Sequence, residues 1–361
     1  MLRLQCIITL NMTTLVYLSF LLVFIECATS FLVLPRISMQ RSQVREPTTA
    51  LSKSSSSLSN TYEHDGWTLS FRFQPASIGY ELERPIVLVH PVGIGMNSWF
   101  WERFLENWSG PAVYAPDLIG CGVANGGDMW DPYTRGLSFP LGWVQGVESL
   151  LQQKVLTRPA GTFGSLPSLG IPSERGCVIV AQGGLAPVGV MLAARNPTTV
   201  SHLVLTSPPT WSDMTTAVPS KELSRNFNIL SSPIIGQLAF RILESPWAVA
   251  FFSNAFLFQG KCDERWLALA CQNTTAADRP PVIAFNAGFC NHRSFDEELT
   301  ELTQPTLILC GKADKPRTKK RTEYVTLMSR CVIEELNGKN ILPWESPAEV
   351  VEAIKNACYK N

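Results

Sequence analysis

The sequence has little that would suit binding to nucleic acids or metals. Its 30 basic residues are balanced by 30 acidic residues, so the formal net charge is zero and no nucleic-acid partner is expected. Histidine occurs four times, and the ten cysteines form no CxxC or CxxH pair. We therefore expect no metal site, no disulfide framework and no cofactor.

The first sixty residues differ from the rest in composition. Residues 1–30 combine Arg3 with a mostly apolar run and end in small residues, which is typical of a cleaved signal peptide rather than a retained membrane span. Residues 31–60 hold eight serines and four basic residues against one acid, a composition typical of a transit peptide. Phe31, directly after the expected cleavage site, resembles the two-part presequences of algae with secondary plastids. We expect import into the plastid, and a secreted or endomembrane protein with a disordered linker at 31–60 is the alternative.

The remaining residues, 61–361, read as a single α/β domain. Short apolar runs at 85–90, 112–117, 177–181, 202–207, 306–310 and 331–336 alternate with helical patterns. This alternation predicts a mostly parallel sheet flanked by helices. Residues 67–73 and 77–83 are predicted to form a leading hairpin.

Two segments interrupt the alternation. Residues 154–176 are rich in Gly, Pro and Ser and are predicted to form a long surface loop. Residues 209–300 are predicted to form a helical cap inserted between two strands, with an aromatic core that could also line a pocket. Its aromatic clusters are Trp247, Phe251, Phe252, Phe256, Phe258 and Trp266.

Four stretches of the chain carry motifs in a fixed order. They are "VLVHPVGIGMNSWFW" at 87–101, "YAPDLIGCG" at 114–122, "LILCGKADKP" at 307–316 and "LNGKNILPWESPAEVVEAI" at 336–354. Together they resemble motifs of the α/β-hydrolase family. Between the second and the third, "VIVAQGGLAPVG" at 178–189 has the pattern of a strand that turns sharply into a helix. The resemblance implies the α/β-hydrolase fold with a cap insertion.

The same resemblance implies a catalytic triad of a nucleophile, an acid and a histidine, in that chain order. Gly183 stands at the nucleophile position, Asp314 at the acid position and Asn340 at the histidine position. Glycine has no attacking group, and asparagine cannot act as a general base near neutral pH. Asp314 is therefore the one triad side chain that the alignment retains.

The family's oxyanion donors align with the backbone amides of Val92 and Gly184. Amides at a helix start favour a carboxylate or phosphate even without catalysis. His90 opens the Val92 loop, where the family's equivalent residue mostly shapes the loop by hydrogen bonding. Pro91 replaces the usual glycine after that histidine and stiffens the loop.

Residues outside the triad positions could form a catalytic site at another place in the fold. Cys121 with His90 could form a rebuilt nucleophile and base, and His292 could lie over the pocket. His64 lies just before the fold, and His202 opens a strand. The basic run at 312–321 is predicted to be a solvated helix start, with an anion site as its alternative.

Three functions follow from these observations. The first is a family member with a degenerate triad that binds or processes an apolar or amphipathic small molecule in the plastid without Ser-His chemistry. The second is a hydrolase or lyase of the same fold with a rebuilt site. The third is a non-catalytic interaction scaffold, because fold alone does not determine function.

Overall fold

The computed structural model describes residues 60–122, 140–157 and 176–360. The predicted signal and transit segments therefore lie outside the described residues, apart from Asn60, as does most of the predicted loop at 154–176. In the part of the chain that is described, no helix has the length and apolar character needed to cross a membrane.

The described residues form an eight-stranded sheet in the order β1-β2-β4-β3-β5-β6-β7-β8. Its strands are β1 Thr61–His64, β2 Trp67–Gln74, β3 Ile86–Val89, β4 Val113–Pro116, β5 Cys177–Gln182, β6 Val200–Thr206, β7 Thr306–Gly311 and β8 Cys331–Leu336. β2 pairs antiparallel with both β1 and β4, and β3 to β8 are parallel. The predicted mostly parallel sheet is confirmed.

The central strands are buried on both faces. Every residue of β3, β5 and β7 is buried, which explains why these strands read as continuous apolar runs rather than alternating patterns. Successive residues of β5 enter opposite cores: Ile179 packs into one apolar cluster and Val178 and Val180 into the other. Helices on both sides of the sheet complete the two clusters.

The helices follow the predicted alternation. They are α1 Glu102–Asn107, α2 Leu141–Leu150, α3 Ala186–Arg195, α4 Trp211–Thr215, α5 Ser220–Leu230, α6 Ile235–Leu243, α7 Pro246–Phe252, α8 Glu264–Gln272, α9 Arg279–Ala287, α10 Asp296–Glu301, α11 Lys315–Arg321, α12 Glu323–Leu327, α13 Leu342–Glu345 and α14 Pro347–Cys358. α2 continues into a π-helical turn, Leu151–Val155, so the predicted loop at 154–176 begins as helix. Helices α4 to α10 lie between β6 and β7, and we call this segment the cap.

The leading hairpin differs from the predicted one. It is formed by β1 and β2, whereas residues 77–83 form turns. Its two-residue loop is Asp65-Gly66, and both residues have positive φ, 45° and 78°. Asp-Gly is a strong signal for this tight turn, so the prediction placed the hairpin one segment too late.

The cap is fixed to the core through a cluster of three tryptophans. The ring of Trp266, from α8, lies 5.2 Å from that of Trp99 and 5.3 Å from that of Trp344. Gly95, with φ of 63°, allows this approach, because a Cβ there would lie 2.0 Å from the carbonyl oxygen of Ala270. The cap is therefore docked by close packing and not only by its two chain connections.

Candidate functional site

The turn after β5 has the geometry of a nucleophile elbow. β5 ends at Gln182, and a single 3₁₀ turn, Gly183–Leu185, leads directly into α3. Gly183 has φ of 57°, a conformation that costs other residues about 1–3 kcal/mol. A Cβ on Gly183 would meet no atom within 4 Å. The turn thus has room for a side chain at the position where the sequence supplies none.

The adjacent Gly184 has a different environment. A Cβ on Gly184 would lie 2.3 Å from the ring of Phe285, which belongs to the cap helix α9. The ring of Phe285 therefore rests on the backbone of the turn. Phe285 was not among the predicted site residues, and no local pattern in the cap marks it.

Val92 and Gly184 lie at matching positions just beyond the ends of two neighbouring strands. Their strands, β3 and β5, are parallel neighbours, with Val89 opposite Ala181 in the register. Each predicted donor follows its strand residue by three positions. Both residues therefore lie at the carboxyl edge of the sheet, on adjacent connections.

His90 is a fully buried residue of the Val92 loop, and both of its ring nitrogens have backbone partners. Its Nε2 accepts a hydrogen bond from the Leu118 amide at 3.1 Å, which leaves Nδ1 to donate to the Pro91 carbonyl at 2.8 Å. Burial lowers the pKa of His90, although the Asp117 carboxylate opposes this. These contacts suit a neutral imidazole that shapes the loop.

Asp314 lies at the carboxyl end of β7, between that strand and α11. Its carboxylate accepts from Nη1 of Arg321 at 3.2 Å, in an ion pair in which the Arg321 side chain is 1% exposed. Arg321 also donates to the carbonyl of Pro208 at 2.6 Å. The prediction that residues 312–321 are solvated is therefore wrong for Arg321, because the carboxylate and the carbonyls offset the cost of burying its charge.

Asn340 follows β8, and its side chain is bound to the cap. Its Nδ2 donates to the carbonyl of Phe256 at 2.5 Å, and its backbone amide donates to the carbonyl of Leu257 at 3.0 Å. The loop before it contacts the Asp314 turn, where the Ala313 amide donates to the Gly338 carbonyl at 3.0 Å. The structure thus brings the Asp314 and Asn340 loops together. Their side chains have different partners, because Asp314 pairs with Arg321 and Asn340 donates to Phe256.

Gln182 joins the elbow to the Asn340 loop. It is 2% exposed, and its Nε2 donates to the Asn340 carbonyl at 2.7 Å. Its Oε1 accepts from the Thr206 hydroxyl at 2.5 Å, which links β5 to the end of β6. Gln182 was not among the predicted site residues, although a single amide in an otherwise apolar strand is a signal that a buried hydrogen-bond partner exists.

The contacts of Cys121 and His292 do not suit a relocated site. Burial raises the pKa of the Cys121 thiol well above its usual value, and the carboxylates of Asp278 and Asp117 raise it further. A reactive cysteine needs the opposite shift. His292 directs Nδ1 to the carbonyl of Phe289 at 3.0 Å.

The two remaining histidines bond to serines. His64 Nδ1 lies 2.8 Å from the Ser149 hydroxyl, and His202 Nδ1 lies 3.2 Å from the Ser201 hydroxyl. Burial, together with two nearby arginines, lowers the pKa of His202 to about 4. These contacts describe structural histidines.

A very small hollow lies where the cap meets the loop of Ile94 and Gly95, and it is lined in part by Phe240. It measures about 10 Å³, enough for about one water molecule. A larger hollow of about 470 Å³ lies between the β1 hairpin and α2, beside His64 and Glu148. Neither is lined by Gly183 or Gly184. Over the same described ranges, no cluster of three His, Cys, Asp or Glu side chains is arranged to hold a metal ion.

Comparisons with known proteins agree with this architecture. Residues 86–353 match the model of the alpha/beta hydrolase family. A search of curated proteins gives no match. Among solved structures, the chain is similar to the CarC serine hydrolase involved in carbazole degradation, with 15% identity, a TM-score of 0.58 and coverage of 83% of this chain and 97% of that one.

Two further structures have comparable similarity. The enol-lactonase from Burkholderia xenovorans has 14% identity and a TM-score of 0.57, with 83% of this chain and 100% of that chain covered. The haloalkane dehalogenase DbeA from Bradyrhizobium elkani has 17% identity and a TM-score of 0.57, with 82% and 97% covered. At these identities the similarity concerns the fold and not the reaction.

Proposed function

Because the chain belongs to the alpha/beta hydrolase family, we propose that it is a member that binds an apolar or amphipathic small molecule without serine-hydrolase chemistry. The observation that carries the proposal is Gly183, which occupies the elbow with φ of 57° and offers no nucleophile. A turn that keeps this geometry without an attacking side chain still holds backbone amides toward a bound anion or carbonyl.

The partners of the other two positions support the loss of the triad. Asp314 is paired with the buried Arg321, and the Asn340 amide donates to a cap carbonyl. In the native chain Asp314 has no imidazole to orient, because Asn340 stands at the histidine position, and the Asn340 amide accepts no proton. Both side chains have structural partners instead.

The surroundings of Val92 support an apolar ligand. Val92 and Ile94 pack against a small cluster formed by Phe240, Val282 and Ile283, all from the cap. Apolar linings with a few polar backbone groups are typical of small-molecule sites. We propose that the ligand's carboxylate or carbonyl faces the Val92 and Gly184 amides and that its apolar body displaces the half-buried Phe285 ring.

A test of the missing nucleophile is labelling by a fluorophosphonate, which reacts with activated serines. We expect no labelling of the native chain. The Gly183→Ser/Asn340→His chain is the matched positive variant, since a Cβ at Gly183 meets no atom within 4 Å. Labelling of the native chain would contradict the proposal and would support the rebuilt-site enzyme.

A test of ligand binding uses 1-anilinonaphthalene-8-sulfonate, an apolar ring system with an anionic group, displaced by oleate. We expect Phe285→Ala to tighten binding because it vacates the space above Gly184. Val92→Glu should weaken binding through charge repulsion, whereas Val92→Gln, its neutral isostere, should not. Equal binding by all four chains would refute this site and leave the scaffold function.

The plastid location is a second part of the proposal, supported by the composition of residues 31–60 and by Phe31. A fluorescent protein fused after residue 60 should enter the plastid of an alga with secondary plastids. Replacing Phe31 with Ala should retain the fusion outside the plastid. Import that does not depend on residues 31–60 would contradict this part.

A further inference from the structure

The cap carries a cluster of large apolar side chains on its outer surface. Of the thirteen large hydrophobic residues that are exposed in the described part of the chain, seven lie within residues 229–256. Six of them, which we call the outer cap patch, are Ile234, Ile235, Leu238, Trp247, Phe251 and Phe256. Concentrated exposure of this kind marks an interaction surface, whereas scattered apolar residues do not.

The patch follows helical spacing on two consecutive helices that contact each other. Ile235 and Leu238 lie three residues apart on α6, and Trp247 and Phe251 lie four apart on α7. Each pair therefore shares one face of its helix. The opposite face of α7 packs inward, where Ala248 and Val249 are buried.

The charges around the patch define its partner. α7 and the π-helical turn that follows it, Pro246–Leu257, contain no charged residue. Exposed cations lie on either side of this segment in the sequence, at Arg241 and Lys261, and no ion pair is seen for either of them among the described residues. The acidic residue nearest in sequence, Glu244, is neutralised by Arg279 at 2.6 Å.

We infer that the outer cap patch inserts into the surface of a bilayer that contains anionic lipids. Aromatic and aliphatic side chains enter the headgroup boundary while basic residues contact the phosphates, as amphipathic helices do at membrane interfaces. The exposed Trp247 suits this boundary, because an indole has an apolar body and a polar edge. This inference does not depend on whether the elbow binds a ligand.

The patch is also connected to the elbow. The π-helical turn that carries Phe256 accepts hydrogen bonds through its carbonyls from Lys339 and from Asn340. A bilayer at the patch would therefore lie beside the loop that bonds to Gln182.

The test is co-sedimentation of the full chain with phosphatidylglycerol vesicles. All chains carry Leu21→Asp and Phe24→Asp, so that the leading apolar run does not itself partition into lipid. We expect the patch variant Phe251→Glu/Phe256→Glu to lose about tenfold or more in binding. The control is Val325→Glu/Leu327→Glu, which adds the same charge at two exposed apolar residues outside the cap.

Other outcomes have definite meanings. We call the chain that carries only Leu21→Asp and Phe24→Asp the parent. The inference would be overturned if the parent does not bind the vesicles, if the patch variant binds as well as the parent, or if the control loses as much binding as the patch variant. A parent dimer that dissociates in the patch variant would assign the patch to a second copy instead. If the parent bound phosphatidylcholine vesicles as well as phosphatidylglycerol vesicles, the requirement for anionic lipids would be overturned. Phe251→Gln/Phe256→Gln repeats the test if the acidic variant does not fold, as judged by circular dichroism.

Discussion

The inner and outer surfaces of the cap are both rich in large apolar side chains, yet their environments are opposite. Trp266, on the inner surface, is 1% exposed and its indole N–H donates to the Ser253 hydroxyl at 3.0 Å. Trp247, on the outer surface, is 54% exposed. The same residue type thus fixes the cap to the core at one position and remains available to a partner at the other.

The two surfaces of the cap are expected to serve different purposes, the inner one the stability of the fold and the outer one the binding of a partner. Burial of an aromatic side chain stabilises the fold only where neighbouring atoms fill the space around it. Trp266 has Trp99, Trp344 and Phe258 around it. We therefore expect substitutions on the inner surface to change the free energy of unfolding and substitutions on the outer surface to change membrane binding.

The largest effect is expected for Trp266→Ala. The substitution leaves a cavity between the cap and the core, and we expect the free energy of unfolding to fall by about 3–5 kcal/mol. Trp247→Ala is the matched control and should change it by about 0.5 kcal/mol or less. Denaturant titration followed by circular dichroism gives both values. Equal losses would mean that the two surfaces do not differ as described.

A smaller effect is expected for Asp314→Asn. Arg321 holds the beginning of the cap through the carbonyl of Pro208, and removing its carboxylate leaves a buried cation without an ion pair. We expect a loss of about 3 kcal/mol in the free energy of unfolding. Asp296→Asn, at an exposed residue of α10, is the control. Unchanged stability combined with loss of an ester-hydrolysis activity would instead make Asp314 a working triad acid.

The third effect distinguishes the two glycines of the elbow. Gly184→Ala places a Cβ 2.3 Å from the Phe285 ring and should cost about 1–3 kcal/mol. The added Cβ of Gly183→Ala meets no atom within 4 Å, and its cost arises only from the positive φ, about 1–3 kcal/mol. The additional substitution Phe285→Ala should relieve the first strain and not the second. A double-mutant cycle without coupling at Gly184 would contradict the contact.

The fold could be predicted from the sequence because its signals are local. The apolar runs of β3, β5 and β7 define buried parallel strands, and the turn "QGGLAP" follows a strand and precedes a helix. The prediction of the hairpin was wrong, although the Asp65-Gly66 turn is itself a local signal for its correct position. These features depend on residues that are adjacent in the chain.

The partners within the site could not be predicted, because they are separated widely in sequence. The Arg321–Pro208 contact spans 113 residues, and the Gln182–Asn340 contact spans 158. Nothing local in "KPRTKKR" distinguishes the buried Arg321 from its exposed neighbours. The aromatic cap was likewise predicted as core, which is correct for Trp266 and Phe258 and wrong for Trp247, Phe251 and Phe256. Burial there depends on which helix face the tertiary structure covers.

The smallest expected effect concerns pH and the contact between the cap and the core. Burial raises the pKa of Asp278, at the start of α9, above its ordinary value of 3.8, and the nearby Asp117 contributes, while hydrogen bonds from Thr275 and Gly122 oppose the shift. The folded chain therefore binds this proton more tightly than the unfolded chain does. The contribution of Asp278 to stability is present below pH 3.8 and is lost as the pH rises through the raised value.

Asp278→Asn should remove this pH-dependent part, so the difference in the free energy of unfolding between variant and native chain should shift in favour of the variant as the pH rises above 3.8. Denaturant titrations across that window measure the difference, and a difference that does not change with pH would place Asp278 in solvent rather than against the core.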